Sequence, residues 1–237
     1  PLVAAGAILS QALEERGIYI GTHIERLGGA SDRRFSGNAA QITEQIKSIA
    51  DMDFAVFDPE CGERMREAVM AARADGDSVG GVLETAVTGM PAGVGEPWFD
   101  TVEGLLSHAL FSIPAVKGVE FGDGFALADM RGSQSNDPLR AESGRVTAQG
   151  NHCGGIGGGI TMGSPMIFRC AVKPTPSISR EQQTVDLDTG ENATLTIRGR
   201  HDPAIVHRAR IVVDSMTAIT LADMLAVRYG TDWLAGR

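Results

Sequence analysis

Residues 2–24 read LVAAGAILSQALEERGIYIGTHI, a helical period that gives way to a strand period at a single glycine. Leu2, Ala5, Ile8, Leu9, Ala12 and Leu13 recur at three- and four-residue spacings, and Gly17 follows a charged last turn. This predicts an amphipathic helix over 2–16 ended by a glycine cap. Ile18, Ile20 and Ile24 then punctuate a β-rich run that stops at Gly28-Gly29, which predicts a strand. The same two signatures recur downstream. Ile42, Ile46 and Ile49 share a face over 39–50, and Asp58-Pro59 opens a helix to residue 75, with the aspartate as cap and the proline first. A strand is expected over 79–88. A helix is expected from Trp98, through Val102, Leu105, Leu106, Ala109 and Leu110, to a stop before Pro114. Further strands are expected over 116–121, 166–172 and 193–197, and a long helix over 203–227. Residues 130–150 are polar, glycine-bearing and without period, and read as a long loop. Helices and strands mix without a βαβ rhythm, so the expected class is α+β, an antiparallel sheet against helices, in one domain over 1–237.

Composition narrows the function. The chain has 21 basic and 30 acidic side chains, a net charge of −9, which argues against sequence-independent nucleic-acid binding. No window approaches a membrane span of about 18 apolar residues, and Pro1–Leu9 lacks a basic leader, so a cytoplasmic protein with no membrane partner is expected. Cys61, Cys153 and Cys170 show no CxxC spacing, which favours a reducing compartment. Thirty glycines in 237 residues is nearly twice the usual share of about 7%.

Two stretches could carry chemistry. Asn151-His152-Cys153-Gly154-Gly155-Ile156-Gly157-Gly158-Gly159-Ile160 lets backbone amides approach a phosphate or a ring, and a following strand ends in Lys173-Pro174-Thr175-Pro176-Ser177. Neither GxGxxG nor GxxxxGK[ST] register is met, so the plain alternative is a tight turn packed on a neighbouring strand. The second stretch is Arg198-Gly199-Arg200-His201-Asp202-Pro203. Here Asp202 reads as a helix N-cap, as an active-site carboxylate, or as both, with Arg200 as a fork-shaped cation for an anionic ligand. His23, His108, His152, His201 and His207 lack metal-ligand spacing, so no metal is expected, and no GxSxG supports an acyl-transfer triad.

Taken with Gly95-Glu96-Pro97-Trp98-Phe99-Asp100, the run Ser112-Ile113-Pro114-Ala115-Val116-Lys117-Gly118-Val119-Glu120-Phe121-Gly122-Asp123-Gly124-Phe125 and Arg131-Gly132-Ser133, these blocks resemble chorismate synthase in order and spacing. The resemblance runs from the first helix to about residue 228. It implies a β-α-β sandwich with helices packed between antiparallel sheets, assembled as a homotetramer. It also implies a shikimate-pathway lyase that uses reduced FMN to eliminate phosphate from 5-enolpyruvylshikimate 3-phosphate in the 1,4-anti sense, giving chorismate. Matched residue by residue, the resemblance implies that Pro114, Ala115 and Gly158 contact the flavin. It likewise implies that Lys173, Pro174, Thr175, Pro176 and Ser177 grip the ribityl phosphate region, that Arg200 faces flavin and substrate, and that Asp202 assists proton transfer beside flavin N5. No NADPH fingerprint is visible, so reduced flavin is expected from elsewhere, although NADP is associated with the family. The family's N-terminal portion, with its Gly-Glu-Ser-His-Gly block, has no counterpart here, so a chain truncated at its N-terminus is expected. Ala204 stands where the pattern has Cys, and Cys153 where it has Ala. The alternatives are a non-catalytic FMN- or phosphate-binding fragment of the fold and a structural fragment that self-associates.

Overall fold

The computed structural model describes residues 1–237 apart from 143, 144, 235 and 237. Its main sheet is antiparallel throughout, in the order β2 (Ala30–Ser31), β1 (Tyr19–Leu27), β3 (Gly81–Thr88), β9 (Met166–Val172), β4 (Val116–Phe121). Register sorts the side chains by face, because alternate residues of a strand point to opposite sides. Ile24, Leu83 and Cys170 align across three strands, as do Thr22, Thr85 and Phe168, and this face packs on helices. Those helices are α1 (Leu2–Glu14), α4 (Val102–Phe111) and α6 (Val206–Tyr229). The opposite face carries Gly21, Ala86 and Ile167, over which α2 (Ala39–Ile49) lays Ile42, Ile46 and Ile49. A Cβ on Gly21 would come within 2.7 Å of Ile46 Cγ2, so this glycine sets how closely the helix approaches. The fold is therefore of the α+β class that the sequence implies, an antiparallel sheet and the helical layer of the sandwich.

Local sequence explains most elements. Asn38 and Gln41 form a reciprocal capping box on α2, and Asp58 caps α3 (Pro59–Ala74) with Pro59 in its first turn. The carbonyls of Ile49 and Ala50, at the C-terminal end of α2, receive the buried Arg210 guanidinium from α6 at 2.9 and 3.1 Å. Helix ends leave such oxygens without partners, and here a distant helix supplies them. Helices α1 and α6 meet at Gly6, where a Cβ would lie 2.4 Å from Ser215 Cβ. Gly6→Val is expected to push these helices apart at a cost of about 1–3 kcal/mol, read as a lower midpoint in urea denaturation.

Three expectations need correction. Helix α4 begins at Val102 with the Thr101 hydroxyl accepting from Gly104 N, not at Trp98, which lies upstream with φ 78° and is almost fully exposed. Thr101 is the better cap, and the apolar Trp98 and Phe99 only mimic an extra turn. Residues 130–150 are not a plain loop. They hold the short helix α5 (Gly132–Ser135) and a ribbon of β5 (Leu139–Glu142) with β6 (Arg145–Ala148). The last helix starts at Val206, and its flanking Ile205 makes no side-chain cap. Asp202 therefore does not cap it; its carboxylate is held instead by Arg208, two turns' reach into the chain ahead.

Candidate functional site

The turn at 76–80, which leads into β3, is the floor on which the chemistry-bearing segments meet. Lys173–Ser177 leaves the last residue of β9, beside the first residue of β3, and a Cβ on Gly80 would strike Val172 O and Pro174 Cδ at 2.5 and 2.9 Å. The Ser78 hydroxyl donates to Thr175 O at 2.6 Å, and Ser179 N donates to Gly76 O at 3.0 Å. From the other side Val79 N donates to Pro203 O at 2.8 Å, which fixes the 200–203 segment to the same turn. Lys173 N donates to Ala115 O at 2.9 Å, bringing in the bend after α4. Ala115 has φ 74°, a left-handed conformation that costs a non-glycine residue about 1–2 kcal/mol. Such strain persists where surrounding contacts enforce it, and here the Lys173 bond does so.

The polar groups of this assembly divide into paired and unpaired. His201 Nε2 donates to Ile197 O at 3.0 Å, which leaves Nδ1 to accept from the Ser177 hydroxyl at 3.2 Å in the neutral ring. Arg180 pairs with Asp77 at 3.0 Å, and the Ser78 amide and Arg180 hold Asp77 below the usual carboxylate range. Arg208 grips both oxygens of Asp202, at 2.8 and 3.1 Å. Among the described residues, Lys173 and Arg200 make no ion pair, and both are exposed. Thr175 Oγ1 is buried without a hydrogen-bond partner among the described residues, and leaving such a group unmatched costs about 1–3 kcal/mol. Two exposed cations on segments tied to one turn, in a chain of net charge −9, suit an anion with phosphoryl oxygens. Those donors fit the phosphate-bearing end of a flavin mononucleotide.

The sequence-derived residues thus converge, with one exception. Pro114, Ala115, Lys173, Pro174, Thr175, Pro176, Ser177, Arg200 and Asp202 lie on segments joined by the bonds above. Gly158 does not join them. It sits with φ 61° at the tip of the hairpin β7 (Ile156–Gly157) and β8 (Ile160–Thr161), where an added Cβ would meet nothing. The hairpin packs at the first residues of β9, and its Gly159 lies against Thr101 at the start of α4, whereas Lys173 and Ala115 follow the far ends of those elements. At ~3.3 Å per residue β9 alone separates the two places by roughly 20 Å.

Sequence reasoning missed Arg208, which lay inside an apparent helix face, and Ser78, which carried no local signal. It also missed a buried charge cluster on the α2 side of the sheet. His23 Nε2 donates to Glu84 at 2.9 Å and Nδ1 lies 3.7 Å from Asp32, all three buried. Arg169 bonds Glu120 at 2.9 Å and approaches Glu25, which also accepts from Arg34. A third feature joins the turn after β4 to the glycine-rich stretch. His152 Nδ1 donates to Asp123, and Asp137 accepts from the amides of His152 and Cys153. The Asp123 carboxylate raises the His152 pKa. Among the described residues no group of three or more His, Cys, Asp or Glu is arranged to hold a metal ion, and no helix is long and apolar enough to cross a membrane.

Comparison with known proteins bears on the whole chain. A family model described as chorismate synthase matches residues 1–226. The chorismate synthase of Methanosarcina acetivorans is 48% identical over 221 residues, covering 93% of this chain and 59% of that protein. The Dehalococcoides mccartyi enzyme of the same name is 46% identical over 228 residues, covering 96% and 61%. A solved structure titled "Crystal Structure of Chorismate Synthase" superposes with a TM-score of 0.81 at 30% identity, covering 98% of this chain and 64% of that one. The chain spans about three-fifths of the length of the curated relatives it matches.

Proposed function

Because the chain belongs to the chorismate synthase family, we propose that it binds flavin mononucleotide and serves the family's reaction, the 1,4-anti elimination of phosphate from 5-enolpyruvylshikimate 3-phosphate to give chorismate. The observation that carries this reading is the meeting of Ala115, Lys173–Ser177 and Arg200–Pro203 on one turn, with Lys173 and Arg200 in no ion pair among the described residues. The Lys173–Ser177 segment grips the ribityl phosphate, with the Lys173 ammonium as its cation, and the backbone at Pro114-Ala115 lies against the cofactor. Arg200 faces flavin and substrate together, presenting a planar pair of donors to the anionic cofactor and neutralising charge as phosphate departs. Reduced flavin, when bound, supplies a transient electron that is returned with the lost hydrogen, so the elimination is redox-neutral. Asp202, fixed by Arg208 and one residue from Pro203, moves a proton at its carboxylate. The proposed assembly is a homotetramer working in the cytoplasm, and light scattering reads its mass.

The test is anaerobic turnover of this substrate with chemically reduced FMN, with flavin binding followed by fluorescence in the same samples. Turnover supports the full reading, binding alone supports a cofactor-binding fragment, and neither outcome removes both. Asp202→Asn separates chemistry from fold, since the amide keeps the shape but cannot take the proton. Turnover is expected to fall about 10²–10⁴-fold with FMN affinity and melting temperature unchanged. Unchanged turnover takes Asp202 out of the proton path.

A further inference from the structure

Asp202 sits between two arginines, Arg200 two residues before it and Arg208 six residues after, and the structure shows which one it takes. Both Arg208 Nη atoms engage both Asp202 oxygens, at 3.1 and 2.8 Å, while Arg200 makes no ion pair among the described residues. The choice is not dictated by burial, because the Asp202 and Arg208 side chains are 35% and 57% exposed. It follows from geometry. Arg208 stands in the first turn of α6 on a fixed backbone and meets the carboxylate fork to fork, the arrangement in which a charge-assisted pair is strongest. Arg200 follows Gly199, whose φ of 141° bends the chain, and its side chain is exposed.

We propose that Arg208 is a positioning residue that occupies the Asp202 carboxylate and thereby keeps Arg200 unpaired for an anionic ligand. Without Arg208 the carboxylate is left with Arg200, two residues away, as the nearest arginine along the chain. It would then neutralise that guanidinium and repel the incoming anion. Lys173 stands on a different segment, held by its backbone N–H to Ala115 O. The proposal rests on reading Lys173–Ser177 with Arg200 as an anion site, and it adds what makes that site available.

The test is FMN binding by the full chain, followed by quenching of flavin fluorescence, for the unmodified protein, Arg208→Gln, Asp202→Asn and the double variant. Arg208→Gln is expected to weaken binding about tenfold, the size of one lost charge-assisted contact, with the melting temperature held. In the double variant the amide no longer competes for Arg200, so affinity is expected to return to within about twofold of the unmodified chain. That rescue is what a structural role would not give. Arg208→Gln binding as tightly as the unmodified chain overturns the proposal, and so does a double variant as weak as Arg208→Gln, which would place Arg208 on the ligand itself. An unmodified chain that does not bind FMN overturns the functional reading first, and the proposal with it.

Discussion

Glu84→Ala is expected to cost about 3–5 kcal/mol of stability, because it removes one partner from a buried charged pair and leaves the other behind. Glu84 Oε2 accepts from His23 Nε2 at 2.9 Å and from Phe35 N at 2.7 Å, with both side chains inside the protein. Truncation strands an imidazole and an amide together and opens a cavity against Phe35 and Phe57, whose rings pack on His23. Urea denaturation measures the loss, and a variant within about 1 kcal/mol of the parent would mean that water or a neighbour satisfies both groups. Glu84→Gln keeps the size and an acceptor for Phe35, so it is expected to lose distinctly less.

The same cluster sets a pH dependence. Burial works to lower the His23 pKa, but Asp32 and Glu84 together outweigh it, so the folded value is raised above about 6.5. Its contribution is fully present below that unfolded value and is lost as pH rises through the folded one. For Asp32, burial works upward and is outweighed by His23 and by the amides of Phe57 and Arg33, so its folded value is lowered. Its contribution is present above the unfolded value and lost as pH falls through the lowered one. Stability is therefore expected to peak between these limits, and Glu84→Ala to flatten the alkaline decline.

What the sequence made legible was local. Asp58-Pro59 capped its helix as read, and the helical runs after Leu2 and Ala39 ended within about two residues of their predicted limits, because period and caps act over a turn or two. The β5–β6 ribbon escaped because each strand is only four residues long, too short for the alternation of Leu139 with Ala141 and of Val146 with Ala148 to stand out from a polar, glycine-bearing stretch. Of the readings left open for Asp202, the cap failed for a different reason. Aspartate before proline is a strong local signal, but a guanidinium six residues on offered two charge-assisted bonds in place of one to an amide. His23 and Glu84 lie 61 positions apart, and only the pairing of β1 with β3 in register brings them together. The candidate site was readable as blocks, since each block is contiguous. Its floor at 76–80 was not, since Ser78 and Val79 matter only for what folds onto them.

Arg200→Ala is expected to weaken FMN binding about 10–100-fold while leaving the melting temperature within about a degree, because a charge-assisted hydrogen bond contributes about 1.5–3 kcal/mol. The fold does not depend on this side chain. It is exposed, bonds nothing among the described residues, and stands outside both hydrophobic clusters. Arg200→Lys keeps the charge and loses the planar fork, so it separates two roles: affinity near the parent means charge alone is read, while a loss close to that of alanine means paired oxygens are gripped. Added salt tells the same story from outside, since an exposed cation is screened over about 8–10 Å at physiological ionic strength. Affinity should fall with salt in the parent and fall less steeply in Arg200→Ala. If alanine binds FMN as tightly as arginine, the cation serving the anion is Lys173 alone, and the 200–203 segment is held at the 76–80 turn only to place Asp202.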